Sequence, residues 1–234
     1  MQNSQLEHLL KEQPRLHAHY DGDQLLAREH YNWSIDRDIL NWILQNVGAD
    51  SKTLETGCGY STITFGIAGT EHTAISPMSA EHESISAWCA KNNIDLNNVE
   101  FIAAPSQDVI HSLPKTPLDL VLIDGDHAFP APFIDWYYIA ERVRQGGFVI
   151  VDDTQLITGK ILHDFLCKEK GRWVLERQFG NTSVFRRVTS ELVVKGIWWD
   201  LQPYCQIRKK PKRTLMQRVF IKAARLFFNE NDFR

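Results

Sequence analysis

The stretch Thr53-Leu54-Glu55-Thr56-Gly57-Cys58-Gly59-Tyr60-Ser61-Thr62 decides how this chain is read. It opens as a short apolar run ending in an acid, turns on glycines spaced Gly-x-Gly-x-Ser, and continues into a segment with helical character. Glycine tolerates positive φ and lets backbone come close to a ligand. A helix that starts at this point offers free N–H groups and the positive end of its dipole to an anion. Strand, tight turn and helix in that order are the first unit of a parallel α/β sheet.

The turn is not the Gly-x-Gly-x-x-Gly of dinucleotide folds, whose third glycine serves close helix–strand packing. Glu55, just before the turn, suits a ligand that brings a cation or hydroxyls to that point. Together these features favour S-adenosylmethionine (SAM), an amino-acid sulfonium with a ribose, over NAD.

Outward from the turn, short apolar runs alternate with longer helical ones. The pattern predicts strands at Lys52–Glu55, His72–Ile75, Val99–Ala103, Leu118–Asp124 and Gly147–Asp153. Between them it predicts helices at Ser61–Ala68, Ala80–Lys91, Ser106–Leu113 and Pro130–Val143, with Gly146-Gly147 ending the last. A helix at Leu156–Lys168 and a hairpin of Trp173–Gln178 with Ser183–Val188 complete the pattern. The expected fold is α/β: a Rossmann-like seven-stranded mixed sheet, five parallel strands plus a C-terminal antiparallel hairpin, with helices on both faces.

At 234 residues the chain holds one sizeable α/β domain and little more. The reading divides it into a helical N-terminal segment at 1–50, a SAM-binding domain at 51–190 and an extension at 191–234. In the first segment Ser34 is the expected N-cap of a helix whose apolar face is Ile39, Leu40, Ile43 and Leu44. That segment either forms a lid over the substrate side or packs on the sheet, and His17, His19, His30 and Trp33 are candidates to line a pocket there.

Hydrophobic content of 43% and charged content of 24% are ordinary for a globular protein. The four cysteines, Cys58, Cys89, Cys167 and Cys205, form no Cys-x-x-Cys pair, which argues against a zinc site or disulfide framework and fits a reducing, cytoplasmic compartment. The polar run Met1 to Pro14 carries no signal-peptide core, and no window reads as a membrane span. Of 26 Lys and Arg and 29 Asp and Glu, residues 207–234 hold nine and two, leaving 17 against 27 in residues 1–206, a net of −10. So acidic a body is a poor surface for nucleic acid, and none is expected as a partner.

Two strand ends carry most of the chemistry, Leu122-Ile123-Asp124-Gly125-Asp126-His127 and Val149-Ile150-Val151-Asp152-Asp153-Thr154. Open parallel sheets bind ligands beyond the carboxyl ends of their strands, near the switch in strand order. If the first and fourth strands are neighbours, Glu55, Asp124, Asp152 and Asp153 meet in one crevice. Carboxylates gathered on one rim repel one another unless a cation sits among them, and oxygen ligands suit Mg²⁺ or a similar hard ion such as Mn²⁺. Such an ion lowers the pKa of a bound hydroxyl, and Asp126 or His127 is the candidate base that removes its proton.

Taken in order, Glu55-x-Gly57-x-Gly59-Tyr60-Ser61, Ser106-Gln107-Asp108, Ile123-Asp124-Gly125-Asp126-His127, Gly146-Gly147 and Asp152-Asp153 resemble class I SAM-dependent O-methyltransferases. The resemblance spans residues 50–190. It is greatest to the methyltransferase family 24 type, related to catechol and caffeoyl-CoA O-methyltransferases and to the sugar O-methyltransferases of antibiotic biosynthesis. It implies that Glu55, Gly57, Cys58, Gly59, Tyr60 and Ser61 hold the methionine part of SAM and that Ser106 and Gln107 contact its adenine. Asp124, Asp152 and Asp153 match that family's metal triad, with Asp124 also beside the cofactor. His127 falls where one branch has a catalytic lysine, and Asp126 where the sugar enzymes carry an aspartate. One departure stands out. The family places an acid at the end of the second strand to hold the ribose, whereas this chain has Ser76, with Glu81 as the next acid.

Residues 211–228 have helical periodicity, with Leu215, Met216, Val219, Phe220, Ala223, Leu226 and Phe227 on one face and Arg218, Lys222 and Arg225 off it. A basic amphipathic helix serves a membrane surface, a partner subunit such as a second copy, or its own acidic body, and Trp198 and Trp199 just upstream are core or interfacial residues. The expected activity is metal-assisted O-methylation of a small hydroxylated molecule. The alternatives are a metal-independent methyltransferase of the same fold, or a non-catalytic SAM-binding module that acts through the tail.

Overall fold

The computed structural model describes residues 2–16, 19–21, 24–26 and 35–191. In chain order the elements are α1 (Gln2–Glu12), β1 (His19–Asp21), β2 (Gln24–Leu26), α2 (Arg37–Asn46), β3 (Lys52–Thr56), α3 (Tyr60–Ala68), β4 (Glu71–Ile75) and α4 (Ser79–Lys91). There follow β5 (Val99–Ile102), α5 (Ser106–Val109), β6 (Leu118–Ile123), α6 (Ala131–Ile139), β7 (Val143–Val151), α7 (Ile157–Lys168), β8 (Trp173–Phe179) and β9 (Thr182–Arg187). The main sheet has seven strands in the order β5-β4-β3-β6-β7-β9-β8, the first five parallel and the last two joined antiparallel. This is the expected sheet, and it places β3 beside β6, so the strand order reverses between them.

Alternation along the buried strands sorts the core into two layers. Leu120 and Leu122 of β6 face the layer built with α1, α2, α3 and α4, whereas Val121 and Ile123 face the layer built with α6 and α7. Side chains two apart on a strand share a face, so the central strands β6 and the end of β7, covered on both sides, read as largely apolar runs.

Several boundaries differ from expectation. Helix α6 ends at Ile139, and after a 3₁₀ turn at Ala140–Arg142 the strand begins at Val143, which pairs with Leu118. Gly146-Gly147 is therefore not a helix stop but lies inside β7, where the pairing with β6 shifts register between Leu118 and Leu120. Helix α5 is four residues long and stops at Val109. The hairpin loop is two residues, Gly180 and Asn181, because Phe179 and Thr182 already pair.

The N-terminal segment contains the small β1–β2 hairpin, which the helical reading did not anticipate. Leu6 and Leu9 of α1 and Ile39, Leu40 and Ile43 of α2 are buried in one core with residues of α3, so these two helices pack against the domain. The N-cap of α2 is Asp36, whose side chain accepts from Asp38 N at 2.7 Å. Ser34, His17, His30, Trp33, the side chain of His19, Cys205, Trp198, Trp199 and the basic helix at 211–228 lie outside the described residues. Cys58, Cys89 and Cys167 are free thiols. No helix among the described residues is long and apolar enough to cross a membrane.

Candidate active site

A cleft of about 630 Å³ opens at the carboxyl ends of β3, β4, β6 and β7. Its lining includes Gly57, Cys58, Gly59, Tyr60, Ser61, Ser76, Glu81, Ser106, Gln107, Asp124, Asp126, His127, Asp152 and Asp153, so all but one of the candidates for cofactor, metal and base share a single space. The exception is Glu55, which is 0% exposed and does not reach the cleft.

Glu55 braces the turn from behind. Its Oε1 accepts from Thr62 Oγ1 and lies 3.1 Å from His72 Nε2, while Thr62 Oγ1 accepts from Gly59 N at 2.9 Å. His72 is fixed in turn by Thr53 Oγ1 at 2.8 Å and by the ring of Phe65, 4.2 Å away. Neither Thr62 nor His72 was among the candidates. Thr62, three residues after Gly59 at the helix start, sits where a capping residue is expected.

Gly57 is required by contact as well as conformation. Its φ is +91°, and a Cβ there would lie 2.3 Å from the carbonyl oxygen of Asp124. Gly57 N bonds Ile75 O at 2.8 Å, and Asp124 N bonds Thr56 O at 3.1 Å, so the turn is clamped between β4 and β6. The glycine lets the end of β3 lie directly against the end of β6, where the acids begin.

Asp124 lies at the floor of the cleft, and its pKa is raised well above the usual carboxylate range, first by burial and then by the charges of Asp152, Asp153 and Glu55. Asp152 is also raised, by burial above all, although it accepts from Thr182 Oγ1 across the β9 hairpin. Asp153 is lowered, because His127 Nε2 bonds its Oδ2 at 2.9 Å, and the same bond raises His127. Asp153 sits at φ +51°, a conformation that costs a non-glycine residue on the order of 1–3 kcal/mol and concentrates at functional sites. A Cβ on Gly159 of α7 would lie 2.5 Å from the carbonyl oxygen of Asp153, so that helix starts pressed against the acidic turn.

Potential ligand atoms of Asp124, His127 and Asp153 all lie within 4.8 Å of one another. This set differs from the expected Asp124, Asp152 and Asp153, with His127 in the place of Asp152. Asp126 is exposed at the mouth, its Oδ1 accepting from Ala128 N at 2.8 Å.

Elsewhere in the cleft an acid stands beside Ser76. Ser76 Oγ donates to Glu81 Oε2 at 3.1 Å, and Cys58 Sγ lies 3.5 Å from the same oxygen. Burial pushes the Cys58 thiol up strongly, helped by Glu55 and Glu81, so it is a neutral wall and not a nucleophile. Further along, Gln107 Oε1 is buried without a hydrogen-bond partner.

Residues 54–154 match the family model described as a methyltransferase domain. A search of curated protein sequences finds no match. Among solved structures, the O-methyltransferase TomG of Streptomyces achromogenes, involved in tomaymycin synthesis and bound to SAM, aligns with a TM-score of 0.54 at 16% identity over 67% of this chain and 82% of that one. The SAH-bound methyltransferase PaMTH1 of Podospora anserina gives 0.53 at 16% identity over 69% and 84%. An rRNA methylase from Streptococcus thermophilus gives 0.51 at 12% identity over 65% and 96%. At such identities these likenesses establish the fold alone. The sequence match covers the glycine turn and both acidic strand ends, so residues 54–154 are similar to a methyltransferase domain and sit in a fold that methyltransferases of known structure share.

Proposed function

We propose that this enzyme methylates a hydroxyl of a small molecule with the help of a divalent cation held by Asp124, His127 and Asp153. The observation that carries the reading is the convergence of these three donors in the same cleft as the glycine turn. The donor chemistry fits an ion. Burial above all, and then the charges of Asp152, Asp153 and Glu55, raise Asp124 well above its ordinary pKa, and a cation would offset both. Two carboxylates with an imidazole suit Mn²⁺ at least as well as Mg²⁺.

SAM supplies an electrophilic methyl group. The cleft supports a seat for it, with the methionine part at Gly57–Ser61, the ribose at Ser76 and Glu81, and the adenine at Ser106 and Gln107. Gln107 Oε1, buried and unpartnered, is an acceptor suited to an exocyclic amine. A bound divalent ion would lower the pKa of a substrate hydroxyl. Asp126, exposed at the mouth, is then the better base candidate, because His127 is engaged with Asp153. His127 holds Asp153 in place, Thr182 holds Asp152, and the rigid carboxyl ends of β6 and β7 fix the distance between the acids and the glycine turn. Positioning of this kind supplies a large part of the rate enhancement in a transfer between two bound groups.

A second reading has its own support. The His127–Asp153 pair already balances one carboxylate, so the cluster could orient substrate without an ion. One assay separates the two. The purified protein is given SAM and a panel of catechols, sugars and other vicinal diols, with chelator, Mg²⁺ or Mn²⁺, and release of S-adenosylhomocysteine is followed. Turnover that chelator abolishes and metal restores supports the first reading, and turnover indifferent to chelator supports the second. Transfer to amines or thiols but to no hydroxyl would overturn both.

A further inference from the structure

We propose that His72 carries a proton on both ring nitrogens and, as an imidazolium, positions the glycine turn for the cofactor through Glu55 and Thr62; the proposal rests on the cofactor seat described above. His72 of β4 is buried, and in the sheet it stands opposite Thr53 of β3. The direction of each hydrogen bond fixes where the protons lie. Thr70 Oγ1 donates to Phe65 O at 3.3 Å, since a carbonyl oxygen can only accept. Thr70 then has no proton for Thr53 Oγ1, 3.1 Å away, so Thr53 donates to Thr70. Thr53 in turn has none left for His72 Nδ1 at 2.8 Å, and that bond is made by Nδ1–H.

The other ring nitrogen faces an acid. Nε2 lies 3.1 Å from Glu55 Oε1, which also accepts from Thr62 Oγ1. A bond between Nε2 and Oε1 needs one proton, and it belongs to the imidazole, ordinarily the stronger base of the two. Glu55 Oε2 is buried without a hydrogen-bond partner, so the carboxylate is compensated through Oε1, by a cation. Phe65 stacks on the His72 ring with centroids 4.2 Å apart and planes 19° from parallel, presenting the face that attracts a cation.

The relay ends in the turn. Thr62 spends its proton on Glu55, which leaves its oxygen to accept from Gly59 N at 2.9 Å. Cys58 and Tyr60, on either side of Gly59, line the cleft. An imidazole with a single proton would lose one of its two bonds. It would release either Thr53 or the carboxylate that directs Thr62.

Two measurements test this. Nitrogen NMR of the ligand-free protein at neutral pH, with His72 assigned through its own side-chain carbons, should show both ring nitrogens protonated. One unprotonated nitrogen overturns the proposal. Calorimetric titration of S-adenosylhomocysteine then reads the positioning. His72→Gln, which keeps a donor for Glu55 but not the charge, and Glu55→Gln should each weaken binding about tenfold. The pair should also lose about tenfold and not about a hundredfold, because residues in one relay give non-additive losses. Thr62→Val should match them, and Thr62→Ser, which restores the hydroxyl, should bind within about threefold of the parent. A merely structural role would lower the melting temperature of the ligand-free variants and leave the dissociation constant of the folded fraction unchanged. That outcome, or losses that multiply in full, overturns the positioning. If His72→Gln or Glu55→Gln does not fold, Thr62→Val binding as tightly as the parent overturns it equally. A parent protein that does not bind the ligand overturns the cofactor seat, and the positioning with it, whereas the ring-nitrogen spectrum still decides the protonation.

Discussion

Ser76, at the end of β4, donates its hydroxyl to the carboxylate of Glu81 in the first turn of α4, at 3.1 Å. The carboxyl end of the strand supplies no acid, but the helix that follows returns one to the same place. Two groups then face the cleft together, a hydroxyl and a carboxylate, both more than nine-tenths buried.

The pair defines the first prediction. If Glu81 holds the ribose hydroxyls, Glu81→Gln should weaken SAM about 10- to 100-fold, in line with about 1.5–3 kcal/mol for a hydrogen bond to a charged group. Glu81→Ala should do no better, and circular dichroism should show both variants folded. Calorimetric titration decides it, and SAM binding by Glu81→Gln at the parent's affinity would remove Glu81 from the site.

A second prediction concerns which acids hold the metal. Asp153 and His127 belong to the converging set, whereas Asp152 is occupied by Thr182. Loss of a ligand lowers metal affinity more than loss of a residue that supports one, for which about 10- to 100-fold is usual. The Mn²⁺ concentration for half-maximal turnover should therefore rise more in Asp153→Ala and His127→Ala than in Asp152→Asn. The opposite ranking would return Asp152 to the ligand set in place of His127.

Why the sheet was legible and the pairing of the acids was not follows from the range of the interactions. Each strand–turn–helix unit is written locally, in runs such as Leu118–Ile123 and in the glycine turn, so sheet composition could be inferred, whereas the neighbouring of β3 and β6 entered the reading as a condition that the structure meets. The end of α6 was misjudged because Val143 extends the apolar pattern of the helix and Gly146-Gly147 resembles its stop, whereas Val143 in fact pairs with Leu118. The three-residue strands β1 and β2 are too short for alternation to register. The positive φ of Asp153 and the bond from Thr182, thirty residues on, are tertiary facts with no local signature. Glu55 was misplaced for a related reason. An acid before a glycine turn can face the ligand or the core, and only His72, brought in by the next strand, shows which.

The rim of the cleft gives a third prediction. Phe129 is 77% exposed and Ile157 is 79% exposed. Phe129 stands two residues after His127 and Ile157 two residues after Gln155, both of which line the cleft, and Thr158 Oγ1 bonds His127 O at 2.8 Å to tie the two segments together. Large apolar side chains left in water at a cleft mouth suit contact with the apolar body of a substrate. Phe129→Ala and Ile157→Ala should raise KM for the best acceptor several-fold, roughly 1 kcal/mol each, with kcat and SAM affinity nearly unchanged. A fall in kcat at constant KM would assign these residues to closure or chemistry instead of substrate contact.

The last prediction uses pH to isolate Asp135. Burial raises its pKa above the ordinary 3.8, so the folded chain binds this proton more tightly than the unfolded chain does. Below about pH 3.8 the carboxyl is protonated in both states and contributes no difference. As pH rises past that value the unfolded chain loses the proton first, and folding grows less favourable until the folded carboxyl also ionises. Asp135→Asn removes the titration while keeping the shape. Its melting temperature relative to the parent should therefore climb as pH rises above about 4 and level off once the folded carboxyl has ionised. Scanning calorimetry of both proteins from pH 4 to pH 8 tests the sign. A difference that is flat across the range would mean that Asp135 ionises alike in both states, and one that narrows with rising pH would mean that its partners stabilise the carboxylate and not the acid.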